Sequence, residues 1–167
     1  QREQAFRVIE RVLQREPDNE TALYDGALLA EQLGQPALME TRLRHLLRLQ
    51  PEHAHALNAL GYSFADRNVN LDEAQQLLER AIALEPEDPA IIDSLGWLRY
   101  RQGRLPEALA LLQRAYASFP DPEVAAHLSE VLWHAGQQEA ARTLWQQMLA
   151  QHPGNPLLLD LARRLGF

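Results

Sequence analysis

Residues 59–81 read ALGYSFADRNVNLDEAQQLLERA and residues 94–115 read SLGWLRYRQGRLPEALALLQRA. Both run from Leu-Gly-aromatic, through an asparagine or glycine break, to Glu-Ala and then to a closing Arg-Ala. A phrase repeated at this distance predicts a repeated structural unit, and a period of that size decides the architecture before local propensity does.

Five prolines set the period. Pro17, Pro51, Pro86, Pro120 and Pro153 are spaced by 34, 35, 34 and 33 residues. At offsets of −12, −8 and −5 from each stand Ala5, Ile9, Val12; Met39, Leu43, Leu46; Ala74, Leu78, Ala81; Ala108, Leu112, Ala115; and Ala141, Trp145, Met148. Steps of four and three residues put each trio on one helical face. A second helix precedes each complete trio with its own apolar stripe, Leu57, Leu60 and Phe64 in one repeat and Ile92 and Leu95 in the next. Gly61 and Gly96 take the same slot on it, with Ala27 and Ser129 in the other two repeats. A small residue there admits a neighbouring helix closely, which outweighs the propensity cost of glycine.

Punctuation agrees with the period. Gly34, Gly103 and Gly136 fall between paired helices, where a left-handed residue ends a helix, and the Asn68–Asn70 loop replaces the glycine in the remaining repeat. Asp88-Pro89, Asp121-Pro122 and Asn155-Pro156 each read as an N-cap followed by proline at the first helical position. No strand signal competes.

Bulk properties exclude several function classes. The chain of 167 residues carries a net charge of −7, with 16 Arg and no Lys, which gives no electrostatic reason to bind nucleic acid. Cys is absent, so neither disulfides nor thiol chemistry operate in this stretch. No apolar run approaches the roughly 18 residues of a membrane span.

This pattern resembles the tetratricopeptide repeat (TPR) family, a helix–turn–helix unit, over essentially the whole chain. The resemblance implies an all-α, right-handed TPR solenoid of stacked helix–turn–helix repeats. On that frame, residues 1–19 are the second helix of a truncated repeat, residues 20–53, 54–88, 89–121 and 122–155 are four complete repeats, and 156–167 form a C-terminal capping helix. The N-terminal helix is expected to lack a packing partner, as in the C-terminal part of a longer array. The capping helix is expected to present Leu157, Leu161 and Leu165 as its stripe, with Asp160, Arg163 and Arg164 off it.

In TPR proteins the stripe one residue behind the packing stripe of each first helix faces the concave groove. Here it holds Tyr24, Leu28 and Glu31; Asn58, Tyr62 and Asp66; Asp93, Trp97, Tyr100 and Arg101; and Glu130, Trp133 and His134, with His55 and Glu123 near the rim. Tyr24, Tyr62, Trp97, Tyr100 and Trp133 are aromatic residues with polar tips, the usual anchors of protein interfaces. The same residue types also suit packing between adjacent first helices. A groove reading predicts a peptide segment or helix as ligand, with an apolar anchor and a basic flank. Chaperone-binding TPRs hold a terminal carboxylate with Lys, Arg and Asn, whereas this surface offers Tyr24, Leu28, Asn58, Ala59 and Ala90 and the chain has no Lys.

Signals of chemistry are weak, and no cofactor, metal or catalytic group is expected. His127 and His134 are about 10 Å apart along a helix, so Glu130 with either leaves too few ligands for zinc. His53 and His55 diverge at a helix start and read as surface residues. Arg7, Arg11 and Arg15 alternate with Glu3 and Glu10 as a solvated face. Nucleophile elbow, P-loop and HExxH motifs are missing.

A narrower resemblance rests on ALGYSFADRNVNLDEA, IIDSLGWLRYRQGRLPEAL and HLSEVLWHAGQQEAAR. These are similar to the C-terminal repeats of proteobacterial outer-membrane TPR lipoproteins that partner a periplasmic carboxyl-terminal processing protease. That resemblance implies a non-catalytic adaptor that supports proteolysis of cell-wall hydrolases and so affects peptidoglycan turnover. It also implies a periplasmic location, with membrane attachment only through a lipid anchor upstream of this chain. A TPR assembly factor for a pilus or secretion machine, a cytoplasmic TPR cofactor and an accessory domain of an enzyme are the alternatives.

Overall fold

The computed structural model describes residues 2–167, so Gln1 of the truncated repeat lies outside the described residues, and every regular element among them is an α-helix. In chain order these are α1 (Arg2–Arg15), α2 (Glu20–Gln32), α3 (Pro36–Leu49), α4 (Ala54–Asp66), α5 (Leu71–Leu84), α6 (Pro89–Arg101), α7 (Leu105–Ser118), α8 (Pro122–His134), α9 (Gln138–Gln151) and α10 (Pro156–Leu165). Even-numbered helices are the first helices of the repeats, and odd-numbered ones the second.

The two helix types start differently, for local reasons. Each first helix has a side chain that accepts from its orphan N–H groups. Asn19, Asp88, Asp121 and Asn155 do so through an oxygen, and His53 accepts from the Ala56 N–H through Nδ1 at 3.1 Å. Such caps contribute about 1 kcal/mol each. Helices α3, α5, α7 and α9 have no side-chain cap. Their entry is set by the turn before them: Gly34, Gly103 and Gly136 have φ of +71°, +76° and +84°, and Asn68 and Asn70 have 55° and 47°. Asparagine tolerates that left-handed region, which is why the extra residue sits there.

Packing follows the trios. Met39, Leu43, Leu46, Ala74, Leu78, Ala81, Ala108, Leu112 and Ala115 are wholly inaccessible, as are Leu57, Leu60 and Phe64 of α4. Each first helix packs on the second helix that follows it, and along the inner side α4 packs on α6, α6 on α8 and α8 on α10. The small slot makes this possible. A Cβ on Gly61 would lie 2.7 Å from Leu78 Cγ, and one on Gly96 would lie 2.8 Å from Leu112 Cγ. Ala27 and Ser129 fill the equivalent slots with no exposure. Helix α6 sits between α4, α5, α7 and α8, and its residues 91–99 are all buried. At the other extreme, no residue of α1 is buried, and Val8 is 52% exposed.

Polar clasps tie one repeat to the next at matching register. Arg80 Nη2 donates to the Pro51 carbonyl at 2.6 Å, and Arg114 Nη2 donates to the Pro86 carbonyl at 2.8 Å. His45 Nε2 occupies the same place and lies 2.7 Å from Asp18 Oδ1.

The C-terminal helix corrects one expectation. Its buried face is Leu158 and Leu161, with Leu165 half-buried, while Leu157 is 47% exposed. The reason is register: α10 starts with the same cap-and-proline pair as α6 and α8, so it docks on α8 as a further first helix. Trp145, the large middle member of its trio, donates from Nε1 to the Leu158 carbonyl at 2.8 Å and fixes that docking.

Gly96→Val is expected to destabilise the chain by about 1–3 kcal/mol in denaturant unfolding, because Leu112 has nowhere to move. Gly154→Ala, with nothing within 4 Å of the added carbon, is the near-neutral control.

Candidate functional site

In each first helix the residue after the small slot turns by about 100° away from the second helix and toward the inner face. Those residues are Leu28, Tyr62, Trp97 and Glu130, and in α10 the equivalent is Arg164. Two adjoining hollows open there. One, about 470 Å³, has walls from Tyr24, Leu28, Glu31, Asn58, Tyr62, Asp93, Phe119 and Glu123 among others. The next, about 410 Å³, is lined by Tyr62, Asp66, Trp97, Arg101, Glu123, His127, Glu130, Leu157, Asp160 and Arg164. Tyr62 and Glu123 form the ridge between them.

A network that runs from buried Asp93 and His127 out to exposed Glu123 organises that ridge. His127 Nδ1 lies 2.9 and 3.1 Å from the two oxygens of the Asp93 carboxylate. His127 Nε2 lies 3.3 Å from the Tyr62 hydroxyl, which donates to Glu123 Oε1 at 2.9 Å. Burial alone would lower the His127 pKa, but attraction to Asp93 and the hydrogen bond with it prevail and hold the value above the ordinary one; Glu123 and Asp66 add to the rise. With both ring nitrogens protonated, every hydrogen bond in the chain from Asp93 to Glu123 is satisfied in one direction. Burial, with the charges of Glu123 and Asp66, likewise pushes the Tyr62 phenol well above its usual range.

Trp97 corrects a second expectation. It is 3% exposed, its ring stacks on His127 with centroids 4.2 Å apart, and Nε1 donates to Asp66 Oδ1 at 3.2 Å. Asp93 and Glu130 are buried too, at 5% and 6% exposure. Glu130 accepts two hydrogen bonds from Arg164, at 2.9 and 2.7 Å, and Arg164 Nε also donates to Asp160 at 3.0 Å. Trp97, Asp93 and Glu130 therefore belong to the floor and are engaged by their own chain. They line the hollows from below, with first helices on both sides.

Trp133 departs in another way. It packs edge-on against Phe167, with centroids 5.1 Å apart, and the Arg142 guanidinium lies over it. The left-handed Gly166, φ +72°, turns Phe167 back between Trp133 and Trp145. Tyr100 and Arg101 are half-buried. The Tyr100 hydroxyl donates to Glu130 at 3.3 Å and lies 3.1 Å from His134 Nδ1, and the Arg101 guanidinium sits 4.9 Å from the Trp97 ring centroid.

The hollow nearest α2 is less occupied. Tyr24 and Leu28 are half-buried on its wall, and the Asn58 Oδ1 has no hydrogen-bond partner among the described residues. Glu31 is half-buried as well. Burial lifts its carboxyl above the usual range, a hydrogen bond with Ser63 opposes this, and Asp66 and Glu123 push it further up. His55, at the rim, faces Glu85 at 3.9 Å and Asp88 at 4.0 Å. These three are the side chains among the described residues whose ligand atoms come close enough together to suit a metal ion. Spacing along one helix could not reveal them, because they join the start of α4 to the connector after α5.

The α10 side chains Leu157, Asp160 and Arg164 line the groove, although the expected packing stripe of this helix includes Leu157 and none of the three is among the expected groove residues. The signal is present in the sequence: they stand at the same offsets from Pro156 as Glu123, Ala126 and Glu130 do from Pro122.

Comparison with known proteins bears on this geometry. A family model described as tetratricopeptide repeat matches residues 24–90 and 94–156. The chain is 45% identical over 130 residues to the TPR repeat-containing protein PA4667 of Pseudomonas aeruginosa, covering 78% of this chain and 22% of that protein. It is 27% identical over 131 residues to the protein O-mannosyl-transferase Tmtc3 of Drosophila melanogaster, covering 78% of this chain and 14% of that one. The chain thus spans under a quarter of the length of either relative. Among solved structures, a thermophilic TPR protein of Thermus thermophilus superposes with a TM-score of 0.82 at 23% identity, over 99% of this chain and 89% of that one. The pilF protein of Pseudomonas aeruginosa gives 0.71 at 22% identity, over 97% and 76%. At such identities the likeness concerns the fold alone.

Trp97→Ala is expected to cost about 3–5 kcal/mol of unfolding free energy, as for a buried aromatic. Tyr24→Ala is expected to leave stability within about 1 kcal/mol. Because the folded-state pKa of His127 is raised, its stabilisation is complete below the unfolded value of about 6.5 and is lost as pH rises through the folded value. Thermal midpoints should therefore fall on that rise in the native chain, and His127→Gln should flatten the dependence.

Proposed function

As the chain belongs to the tetratricopeptide repeat family, a protein–protein interaction scaffold, we propose that its groove holds a segment of a partner protein and that it acts as a non-catalytic adaptor. The observation that carries this reading is the hollow beside α2. Its wall combines the half-buried rings of Tyr24 and Tyr62 with exposed Phe119, and its carboxylates Glu31 and Glu123 have no ion-pair partner among the described residues. Rings with polar tips in a concave, partly desolvated setting are what interface anchors require.

The partner system we propose is periplasmic proteolysis of cell-wall hydrolases, with a carboxyl-terminal processing protease and its substrates as the proteins brought together. The chain would work within a longer protein held at the outer membrane by a lipid anchor. What supports this is the resemblance of residues 59–74, 91–109 and 127–142 to the repeats of that lipoprotein family. A relative 45% identical that is itself described as a TPR repeat-containing protein is compatible with it.

The test is affinity capture from bacterial envelope extract, with the native chain and a Tyr24→Ala, Leu28→Ser variant as parallel baits. Recovery of the processing protease or a cell-wall hydrolase with the native chain, and at least about tenfold less with the variant, is the expected result. Recovery of neither would end the adaptor reading and leave only the scaffold.

A further inference from the structure

The two halves of the groove differ in what they do with their carboxylates. Toward the C-terminus the chain supplies its own cation: Arg164 of α10 donates two hydrogen bonds to Glu130, at 2.9 and 2.7 Å. That pair shows how the inner face receives a guanidinium, with a carboxylate of one first helix taking the side chain of the element laid beside it. Toward α2 the corresponding surface has no such donor. No Arg or His lines that hollow, while Glu31, Asp121 and Glu123 do. None of those three has an ion-pair partner within 4 Å among the described residues. Asp93, the fourth acid there, is already held by His127.

Apolar exposure coincides with this charge. Phe119, at the connector before α8, is 53% exposed and lines the same hollow as the half-buried Leu28. An exposed phenylalanine beside unpaired carboxylates in a concavity is costly unless something covers it, and a partner with both apolar and cationic groups would cover both. Burial and mutual repulsion hold the Glu31 carboxyl above its usual range, with Arg67 offsetting part of this, so a cation arriving there would relieve repulsion.

From this placement we infer that the α2-side half of the groove binds a cationic, apolar segment of the partner protein, its basic side chain between Glu31 and Glu123 and its apolar one against Phe119. The inference rests on the reading of the groove as a protein-binding surface and adds the chemistry of the occupant. In the C-terminal half the carboxylate of Glu130 is already taken by Arg164, so it does not offer the same ligand an unpaired acid at that position.

Isothermal titration calorimetry of the full chain at physiological ionic strength tests it, with an end-capped synthetic peptide of Arg, Leu and Ala as probe. Peptides with Gln or Glu in place of Arg serve as comparisons. The Arg peptide is expected to bind at least about tenfold more tightly than the Gln peptide, and the Glu peptide more weakly still. Glu31→Gln with Glu123→Gln should weaken the Arg peptide about tenfold with helicity unchanged. Asp72→Asn with Glu139→Gln makes the same change in net charge at the starts of two second helices and should leave affinity within about twofold. Equal binding of the Arg and Gln peptides, or equal weakening by the two double variants, would overturn the inference while the groove reading stands. Failure of all three peptides to bind would remove the groove reading as well.

Discussion

The close approach of first and second helices at the small slot is the constraint on which the rest of the structure depends. Neither helix of a repeat can bury its apolar stripe alone, and the trios of α3, α5 and α7 become inaccessible only when the partner backbone comes near. Gly61 against Leu78 and Gly96 against Leu112 leave no space for even a methyl carbon. Burial of each large side chain in these trios contributes about 1.5–3 kcal/mol, which offsets the helix-propensity cost of a mid-helix glycine. Helix α1 packs on α2. Its Ala5, Ile9 and Val12 keep the same spacing, but none of them is buried.

The same constraint positions the groove. Once the slot residue faces the second helix, its successor must face the inner side, since consecutive residues are about 100° apart around the axis. Leu28, Tyr62, Trp97, Glu130 and Arg164 thus form one row across five first helices. What each then does depends on its neighbours. Leu28, on α2, is half-buried. Trp97, on the helix flanked by four others, is enclosed and becomes part of the floor. Glu130 is enclosed because α10 lays Arg164 across it.

The floor is accordingly polar and aromatic, and it is internally satisfied along Asp93, His127, Tyr62 and Glu123. A buried imidazole between a carboxylate and a phenol is stable only if each group keeps its partner. This network lies between the two hollows, and the acids without an ion-pair partner among the described residues, Glu31, Asp121 and Glu123, are what remains for a ligand. Those lie toward α2, so unpaired charge is distributed unevenly along the groove.

Nearly all of the architecture is legible in the amino-acid sequence, because its determinants are local and recur. The proline period, the Asp88, Asp121 and Asn155 caps, the left-handed glycines, the small slots and the complete trios each act within a turn or two of their own position. The groove row is legible for the same reason, as a fixed offset from the slot. The occupancy of that row is not. Whether Trp97 is an open anchor or a floor residue depends on His127, 30 positions away, and Tyr62 meets Glu123 across 61 positions. The leucines of α10 fit two helical registers, and only docking of that helix on α8 selects the one that leaves Leu157 outside the core. Trp133 packs against Phe167, 34 positions away, and lines neither hollow. The sequence by itself thus determined the repeat and its faces through short-range rules, and the tertiary structure alone decided which groove groups are already spent, because each is spent on a partner from another repeat.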